Sequence, residues 1–297
     1  MNETFYFWAP FSGSLSCIFI MDLKGKVVVI TGASGAIGAA AARAFDREGS
    51  RVVMASRKTS AMEETARSLR DPLVLAVDLS DEDQARNMIL QTVDHFGRLD
   101  ILVNNAASII VDHSGNVTLG DLLYAFRTNL TGPVAATKEA IRHMRKQGGG
   151  HIINVGSPGF LMGIPFYAPY VCSKAAFSAW TRTIQAEWAG TNIRVSEYFP
   201  GYILTGSKPE SRLGPVSQDF LMAEEQKWIT RLFTRPRTPD HVARQLVSLA
   251  RKPKILVYSS FSTRLGAWLS NIPSFRLAIA GQMAENARKK LNPRDTQ

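Results

Sequence analysis

The sequence YVCSK, from Tyr170 to Lys174, places a phenol and an ammonium four residues apart. On an α-helix, positions i and i+4 lie one turn apart on the same face. A phenol with a pKa of about 10 is a poor base at neutral pH, and a nearby cation stabilises the phenolate. The pair is therefore a candidate proton donor or acceptor together with the cation that tunes it. A packed tyrosine beside a lysine that extends its amine to solvent is the alternative.

A glycine-rich segment near the start of the chain is the second place where residue types and spacing suggest chemistry. The apolar run VVVI leads into TGASGAIG and then into a segment with helical periodicity. A phosphate bound at such a turn needs backbone N–H donors with no Cβ in the way, and the helix dipole adds to the attraction. The segment therefore predicts a dinucleotide site, with an ordinary tight turn as the alternative. The candidate contacts are Gly32, Ser34, Gly35, Ile37 and Gly38.

The end of the next apolar run indicates which dinucleotide is bound. In NAD-binding folds an acidic residue about 20 positions after the glycines binds the ribose hydroxyls, whereas an arginine accommodates the 2′-phosphate of NADP. Here the segment VVMASRK has Ser56 at that place, followed by Arg57 and Lys58. A guanidinium can hold a phosphate through paired charge-assisted hydrogen bonds. We therefore expect NADP(H) to be preferred over NAD(H); solvated surface charges are the alternative interpretation of Arg57 and Lys58.

These groups need a scaffold, and the chain from Asp22 onward alternates short apolar runs with longer amphipathic ones. The apolar runs predict strands at Val27–Ile30, Arg51–Ala55, Leu73–Val77, Ile101–Val103, His151–Val155, Ile193–Tyr198 and Lys254–Tyr258. The amphipathic runs predict helices at Ile37–Glu48, Ala61–Leu69, Glu82–Phe96, Leu119–Lys146, Tyr170–Ala189 and Pro239–Arg251. This alternation predicts an α/β protein with a Rossmann-type, doubly wound parallel sheet in a single domain. Such sheets bind ligands at the carboxyl ends of their strands.

The composition limits the class of protein further. The chain has 297 residues, of which 45% are hydrophobic and 20% charged, as in globular domains. The formal net charge is +10, but the basic residues are scattered, which disfavours a nucleic-acid partner. Two cysteines and five isolated histidines show no disulfide framework and no metal-ligand spacing. We expect a cytoplasmic protein that uses no metal.

Two terminal segments differ from the rest of the chain. Residues 4–20 carry no charge, lack the basic start of a signal peptide and are shorter than the roughly 20 residues of a spanning helix. The tail from Ser260 mixes apolar residues with six basic and two acidic ones. The predicted organisation is an N-terminal hydrophobic extension (1–21), a dinucleotide-binding and catalytic domain (22–259) and a basic amphipathic tail (260–297). The tail can contact an anionic membrane peripherally, cap the substrate pocket or lie at a subunit interface.

Several separated motifs follow one another in order along the predicted domain. They are TGASGAIG, NNAA at 104–107, Asn129 in RTNLTGP, Ser157 in INVGSPG, YVCSK and PGYILT at 200–205. In their order and spacing, the chain resembles the short-chain dehydrogenase/reductase family of the classical type. Two departures stand out: the glycines are spaced TGxxGxxG where TGxxxGxG is usual, and Ala107 replaces the glycine of NNAG. The first spacing is usual in the extended branch of epimerases and dehydratases.

The resemblance implies a catalytic set of Asn129, Ser157, Tyr170 and Lys174. Tyr170 would exchange a proton with the substrate oxygen, and Ser157 would hydrogen-bond that oxygen. Lys174 would lower the pKa of Tyr170 and hold the nicotinamide ribose, and Asn129 would position a water that links Lys174 to solvent. Further implied cofactor contacts are Asp78, Leu79, Asn104, Ala106, Tyr170, Lys174, Pro200, Gly201, Ile203 and Thr205. The resemblance also implies a homodimer or homotetramer.

The predicted function is that of an NADP-dependent oxidoreductase that interconverts a carbonyl and a secondary alcohol. Apolar residues after Ser157 suggest a lipophilic small-molecule substrate, with core packing as the alternative for half of them. They are Phe160, Leu161, Met162, Ile164, Phe166 and Tyr167. Two other functions remain as alternatives: an epimerase or dehydratase that retains its cofactor, and a non-catalytic cofactor-binding regulator.

Overall fold

The computed structural model describes residues 20–201, 203, 211–213 and 237–290. Its strands are β1 (Val27–Thr31), β2 (Arg51–Ser56), β3 (Leu73–Ala76), β4 (Ile101–Asn104), β5 (Ile109–Val111), β6 (Gly150–Val155), β7 (Ile193–Phe199), β8 (Ser211–Leu213) and β9 (Leu256–Tyr258). Seven of them form one sheet in the order β3-β2-β1-β4-β6-β7-β9. Every neighbouring pair in that sheet is parallel. All seven predicted strands and the predicted doubly wound sheet are thereby confirmed.

Helices connect these strands. They are α1 (Ala36–Arg47), α2 (Thr59–Ala66), α3 (Glu82–Phe96), α4 (Leu119–Phe126), α5 (Gly132–Lys146), α6 (Gly159–Met162), α7 (Ala168–Glu187), α8 (Pro239–Arg251), α9 (Phe261–Leu269) and α10 (Pro273–Lys290). The six predicted helical segments are all present, with ends shifted by up to three residues. One of them, the segment predicted to run unbroken from 119 to 146, is interrupted.

The first strand shows why both faces of the sheet are covered. Its five residues are all buried. Val28 and Ile30 pack in a cluster with α1 and α8, whereas Val27 and Val29 pack in a second cluster with α3 and α5. Because successive side chains point to opposite faces, a strand covered on both faces is apolar at every position. The run VVVI therefore predicts a central strand, and β1 lies between β2 and β4.

The strand order reverses beside β1. From this strand the chain proceeds through β2 and β3 on one side, and through β4, β6, β7 and β9 on the other. Loops that leave β1 and β4 therefore turn in opposite directions and open a crevice at the carboxyl ends of the strands. The glycine-rich turn, the NNAA segment and the residues after β6 all lie at this edge.

The predicted helix Leu119–Lys146 is interrupted by a π-helical turn at Arg127–Thr131. The Gly132 N–H donates to the carbonyl of Arg127, five residues back. Pro133 follows at the start of α5 and has no N–H for an α-helical bond to the carbonyl of Asn129. The turn holds one extra residue, as π-bulges at functional sites do, and Asn129 lies within it.

Two further features go beyond the sequence-based expectation. β8 belongs to the insert between β7 and α8, and it forms a separate parallel pair with β5, the strand that follows β4. The tail forms two helices, α9 and α10; α9 buries Thr263, Gly266 and Ala267. Large apolar side chains on the rest of α9 are exposed, namely Phe261, Leu265 and Trp268, and so is Ile272 after the helix. Within the described ranges, no helix is long and apolar enough to span a membrane. Membrane contact through the tail stays a prediction.

Gly132 gives a test of how α5 packs on the sheet edge. A Cβ at this position would lie 1.9 Å from the Leu79 carbonyl oxygen. We expect Gly132→Ala to lower the free energy of unfolding by about 1–3 kcal/mol or more, because the rigid backbone must move. Gly281→Ala on α10 is the control, since a Cβ there meets no atom of the described residues within 4 Å and alanine favours helix. Urea denaturation measures both; equal stability of Gly132→Ala and the wild type would contradict this packing.

Candidate active site

Tyr170 and Ser157 meet at the carboxyl edge of the sheet. Ser157 follows β6 by two residues, and Tyr170 is the third residue of α7, behind Pro169 in the first turn. Burial raises the pKa of Tyr170, and a hydrogen bond with Ser157 acts in the opposite direction. The first turn also places the phenol at the positive end of the helix dipole, which favours a developing phenolate. The structure thus brings the predicted proton donor beside its predicted partner.

Lys174 lies one turn further along α7 and is 2% exposed. Its Nζ donates to the Val155 carbonyl oxygen at 2.9 Å and lies 5.5 Å from the centre of the Phe177 ring. Burial lowers the pKa of Lys174 to about 8, and the charge of Glu197 acts against that shift. The alternative of a lysine that extends its amine to solvent is therefore wrong.

The expected effect of Lys174 on Tyr170 remains a prediction for the enzyme with its cofactor. In the structure, burial dominates the shift of the Tyr170 pKa, and the Lys174 ammonium is directed to the end of β6. A phenol held in its protonated form suits a proton donor. The ammonium one turn away remains available to stabilise the phenolate after the proton has left.

Asn129 connects α7 to the loop after β4. Its Oδ1 accepts from the Ser108 N–H at 2.6 Å. Its Nδ2 donates to the Ser108 carbonyl at 2.9 Å and to the Ser173 hydroxyl at 2.9 Å. The Ser173 hydroxyl in turn donates to the Tyr170 carbonyl oxygen. Asn129 thus fixes the first turn of α7; its predicted role with a water stays a prediction. Sequence reasoning missed Ser108 and Ser173, because single serines beside a motif carry no distinct signal.

The glycine turn has the shape that a phosphate requires. Gly32 has φ +67°, and a Cβ there would lie 2.8 Å from the Cα of Ala106. A Cβ on Gly38 would lie 2.4 Å from the Gly32 carbonyl oxygen. Gly35 is the N-cap of α1, and within the described part of the chain no side chain caps that helix end. The first N–H groups of α1, from Ala36 onward, are therefore oriented toward the crevice, where an anion can bind them.

The NNAA segment supports this turn from the neighbouring strand. The Thr31 hydroxyl accepts from the N–H groups of Asn105 and Ala106, at 3.0 and 3.1 Å. Asn104, a predicted cofactor contact, has its side chain in the interior instead, where Nδ2 donates to Asn154 and Thr137. Only the backbone of Asn104 is thus placed to line the crevice, whereas Ala106 lies directly against Gly32.

The adenosine side of the crevice contains the other predicted contacts. The hydroxyls of Ser34 and Ser56 lie 2.7 Å apart, which joins the glycine turn to the end of β2. Arg57 is exposed, and its guanidinium donates to the Tyr124 hydroxyl at 2.6 Å. The Asp78 carboxylate accepts from both the N–H and the hydroxyl of Ser80. Leu79 is buried and contributes its carbonyl to the contact with Gly132.

The structure describes some of the predicted contacts on the nicotinamide side of the crevice. The Gly201 N–H donates to the Ser259 hydroxyl at 2.8 Å, which fixes the segment after Pro200 at the end of β7. Ile203 packs against the core cluster under α1 and α8. Thr205, the remaining predicted contact, lies outside the described residues. Ile37 is also partly buried against that core cluster, so it supports the glycine turn from beneath.

The predicted substrate wall lies around the start of α7. Its six apolar residues are all half-buried, and α10 contacts α6 beside them. Phe166 has φ +68°, a strained conformation for a side chain of its size, and its carbonyl accepts from the Asp112 N–H. The ring of Tyr167 lies 6.4 Å from that of Tyr170. An aromatic surface thus adjoins the predicted proton donor.

Known proteins resemble this chain in sequence and in fold. The family model for short chain dehydrogenases matches residues 26–214. A Drosophila melanogaster protein named dehydrogenase/reductase SDR family protein 7-like is 30% identical, over 92% of this chain and 85% of its own. Ketoacyl reductase HetN of Nostoc is 31% identical, over 64% and 68%. The crystal structure of a short-chain dehydrogenase from Streptomyces avermitilis shares the fold, with a TM-score of 0.73, 22% identity, and coverage of 92% of this chain and 100% of that one.

These findings agree with the site geometry. The chain belongs to the short-chain dehydrogenase family, and it is an NAD(P)-dependent oxidoreductase of that family. The crevice fits such a cofactor, because its open helix end and two obligatory glycines leave room for a pyrophosphate.

The unusual glycine spacing gives a test of the cofactor turn. Among the atoms that the structure describes, a Cβ on Gly35 would meet only the Gly32 carbonyl, at 3.4 Å, so the fold itself tolerates it. We expect Gly35→Ala to keep the wild-type melting temperature and to weaken NADPH binding by about tenfold, because the methyl group would face the pyrophosphate. Gly38→Ala should lose both stability and binding. Differential scanning fluorimetry and NADPH fluorescence measure the two effects; unchanged binding in Gly35→Ala would refute the close approach.

Proposed function

We propose that the protein is an NADP-dependent oxidoreductase that interconverts a carbonyl and a secondary alcohol on a lipophilic small molecule. The observation that carries this proposal is the grouping of Ser157, Tyr170 and Lys174 at the carboxyl edge of β6. Tyr170 is hydrogen-bonded to Ser157, and Lys174 is buried beneath them. Each residue has a chemical role that its surroundings support.

The chemistry divides between cofactor and protein. The bound nicotinamide supplies or accepts the hydride. In the direction of reduction, the Ser157 hydroxyl binds the carbonyl oxygen of the substrate and Tyr170 donates its proton to the same oxygen. Burial keeps the phenol protonated beforehand. Lys174 then stabilises the phenolate that remains. Asn129 keeps α7 in register with the loop after β4, so that these groups stay within reach of one substrate atom.

The preference for NADP(H) is supported by the end of β2. Ser56 stands where a carboxylate would repel a 2′-phosphate, and its hydroxyl contacts Ser34 of the glycine turn. Arg57 is exposed beside the same edge of the crevice. Its contact with the Tyr124 hydroxyl restrains the guanidinium on that side, which reduces the entropy lost when it binds a phosphate.

The substrate class is supported by the half-buried apolar wall after Ser157. Phe166 and Tyr167 pack against Val111, whose strand β5 pairs with β8 of the insert. A ketone or alcohol with an apolar body fits such a surface. The relative named ketoacyl reductase HetN makes an acyl ketone one candidate within this class.

Replacing Tyr170 with phenylalanine tests the catalytic assignment. The change removes the transferable proton and keeps the ring, so NADPH should still bind with an affinity within about twofold of the wild type. Turnover should fall by about 10²- to 10⁴-fold, the usual contribution of general acid–base catalysis. The measurement is NADPH oxidation with a panel of lipophilic ketones, aldehydes and quinones.

NADPH oxidation with the same panel of substrates also distinguishes an oxidoreductase from the alternative functions. An epimerase or dehydratase would convert substrate with no net change in NADPH absorbance. A Tyr170→Phe variant that retains wild-type turnover would contradict the role of Tyr170.

Cofactor preference is tested by Arg57→Ala with Tyr124→Phe as the matched control. Loss of a charge-assisted contact to phosphate costs about 1.5–3 kcal/mol, so NADPH binding should weaken by at least about tenfold. NADH binding should change by less than about twofold, because NADH has no 2′-phosphate. Tyr124→Phe removes the hydroxyl bonded to Arg57 and keeps the charge, and should have a small effect. Isothermal titration calorimetry gives the constants; equal losses for both cofactors would defeat the assignment.

A further inference from the structure

Glu197 is a buried carboxylate in β7, a strand whose residues are almost all buried. It lies in the middle of β7 and is 1% exposed. In the part of the chain that the structure describes, its Oε1 has no hydrogen-bond partner. Its Oε2 lies 3.9 Å from Nε of Arg182, whose side chain is 57% exposed. Burying a carboxylate is costly without compensation, and nothing in the catalytic set described above uses it.

The position of Glu197 relates it to the active site. Tyr170, Lys174, Ser178 and Arg182 follow each other at intervals of four residues along α7 and share one helix face. Glu197 interacts with the last three of these four. It pairs in the sheet with Asn154, directly before Val155, whose carbonyl receives the Lys174 ammonium.

A second contact places the carboxylate still closer to the reacting groups. A Cβ built on Gly156 would lie 3.1 Å from Glu197 Oε1, so this oxygen lies against the backbone of Gly156. Gly156 separates Val155, which anchors Lys174, from Ser157. The carboxylate is therefore located directly beneath the segment that holds both predicted catalytic groups.

In the buried interior, the charge of Lys174 favours the ionised form of Glu197, and the charge of Glu197 favours the ionised form of Lys174. Burial lowers the pKa of Lys174, and the Glu197 charge opposes that shift. Burial likewise raises the pKa of Glu197 to about 7, opposed by Ser178, Arg182 and Lys174. Glu197 is thus mostly ionised near pH 8, where Lys174, with its pKa of about 8, is half deprotonated.

We propose that Glu197 is the internal counter-charge of Lys174, a positioning residue that keeps the active-site ammonium charged. The charge acts on Tyr170 only through Lys174. The catalytic consequence of this inference rests on the proposed function. The effect of Glu197 on the pKa of Lys174 can be measured without substrate or cofactor.

The other titratable groups near Glu197 do not supply a negative charge that could stabilise the Lys174 ammonium. Arg182 is a cation and cannot stabilise an ammonium. Tyr258 on β9 interacts with Glu197, but burial raises its pKa, so the phenol is neutral near pH 8. His151 bonds to Ser196, the neighbour of Glu197 in β7, and so lies on the opposite face of the sheet. Among the residues that the structure describes, Glu197 is the anion whose charge acts on Lys174.

The direct test is an NMR titration of Lys174 in the cofactor-free protein, with ¹³C-labelled lysine and assignment by Lys174→Met. We expect Glu197→Gln, which keeps the shape and removes the charge, to lower the Lys174 midpoint by about one pH unit. Glu187→Gln, at the exposed end of α7, makes the same charge change far from the site and should leave the midpoint unchanged. Equal midpoints in Glu197→Gln and the wild type would overturn the proposal.

The catalytic readout is the pH profile of kcat/KM for ketone reduction by NADPH. The Lys174 ammonium is lost as pH rises through its pKa, so the alkaline limb of Glu197→Gln should move to lower pH by about one unit. Ser178→Ala should give a smaller shift in the same direction, because Ser178 favours the charged form of Glu197. This second variant keeps the proposal testable if Glu197→Gln does not fold.

The NMR titration and the pH profile distinguish a failure of the proposed function from a failure of the role proposed for Glu197. If Tyr170→Phe retains turnover, the proposed function fails while the NMR midpoints still decide the role of Glu197. If the profiles of Glu197→Gln and Ser178→Ala coincide with that of the wild type in an enzyme whose turnover requires Tyr170, the role of Glu197 fails and the proposed function stands.

Discussion

A charged ammonium enclosed between a sheet and a helix is the constraint on which the active site depends. Lys174 is almost fully buried, and its charge is useful to Tyr170 only while the proton stays on the nitrogen. Transfer of an isolated ammonium into an apolar interior costs so much that the group discharges instead, unless partners are provided. The carbonyl of Val155 provides one such partner, and the charge of Glu197 opposes the loss of the proton.

The parallel sheet itself positions the groups that surround Lys174. Parallel strands bring their carboxyl ends to one edge of the sheet, so the end of β6 presents a carbonyl toward the helix that crosses it. The π-helical turn before α5 places Asn129 against Ser108 and Ser173, and this contact fixes α7 relative to the loop after β4. At the opposite end of the crevice, Gly32 and Gly38 allow α1 to approach the sheet closely enough to direct its N–H groups at a phosphate. Proton transfer and cofactor binding are thus positioned by the same edge of the same sheet.

Much of this arrangement could be predicted from the sequence. Fully apolar runs such as that of β1 identified the strands, because a strand covered on both faces needs apolar residues at every position. The glycine spacing and the Tyr170–Lys174 interval identified the crevice and the helix face. The π-helical turn could not be predicted, because Gly132 and Pro133 mark a helix start as readily as a bulge within a longer helix.

Other features were missed because they depend on tertiary neighbours. The side chain of Asn104 lies in the interior because Thr137 and Asn154 offer partners there, and no motif specifies those partners. Glu197 is a carboxylate within a predicted strand, but its relation to Lys174 on α7 became apparent only when the register of β6 and β7 was known.

The role of Lys174 is tested most directly by the pKa of Tyr170 in the NADP⁺-bound protein. Ultraviolet difference titration against Tyr170→Phe isolates this phenol from the other tyrosines, and Lys174→Met shows what the ammonium contributes. We expect the Tyr170 midpoint to be higher in Lys174→Met than in the wild type by at least about one pH unit, since a neighbouring cation favours the phenolate. Identical midpoints in the two proteins would contradict it.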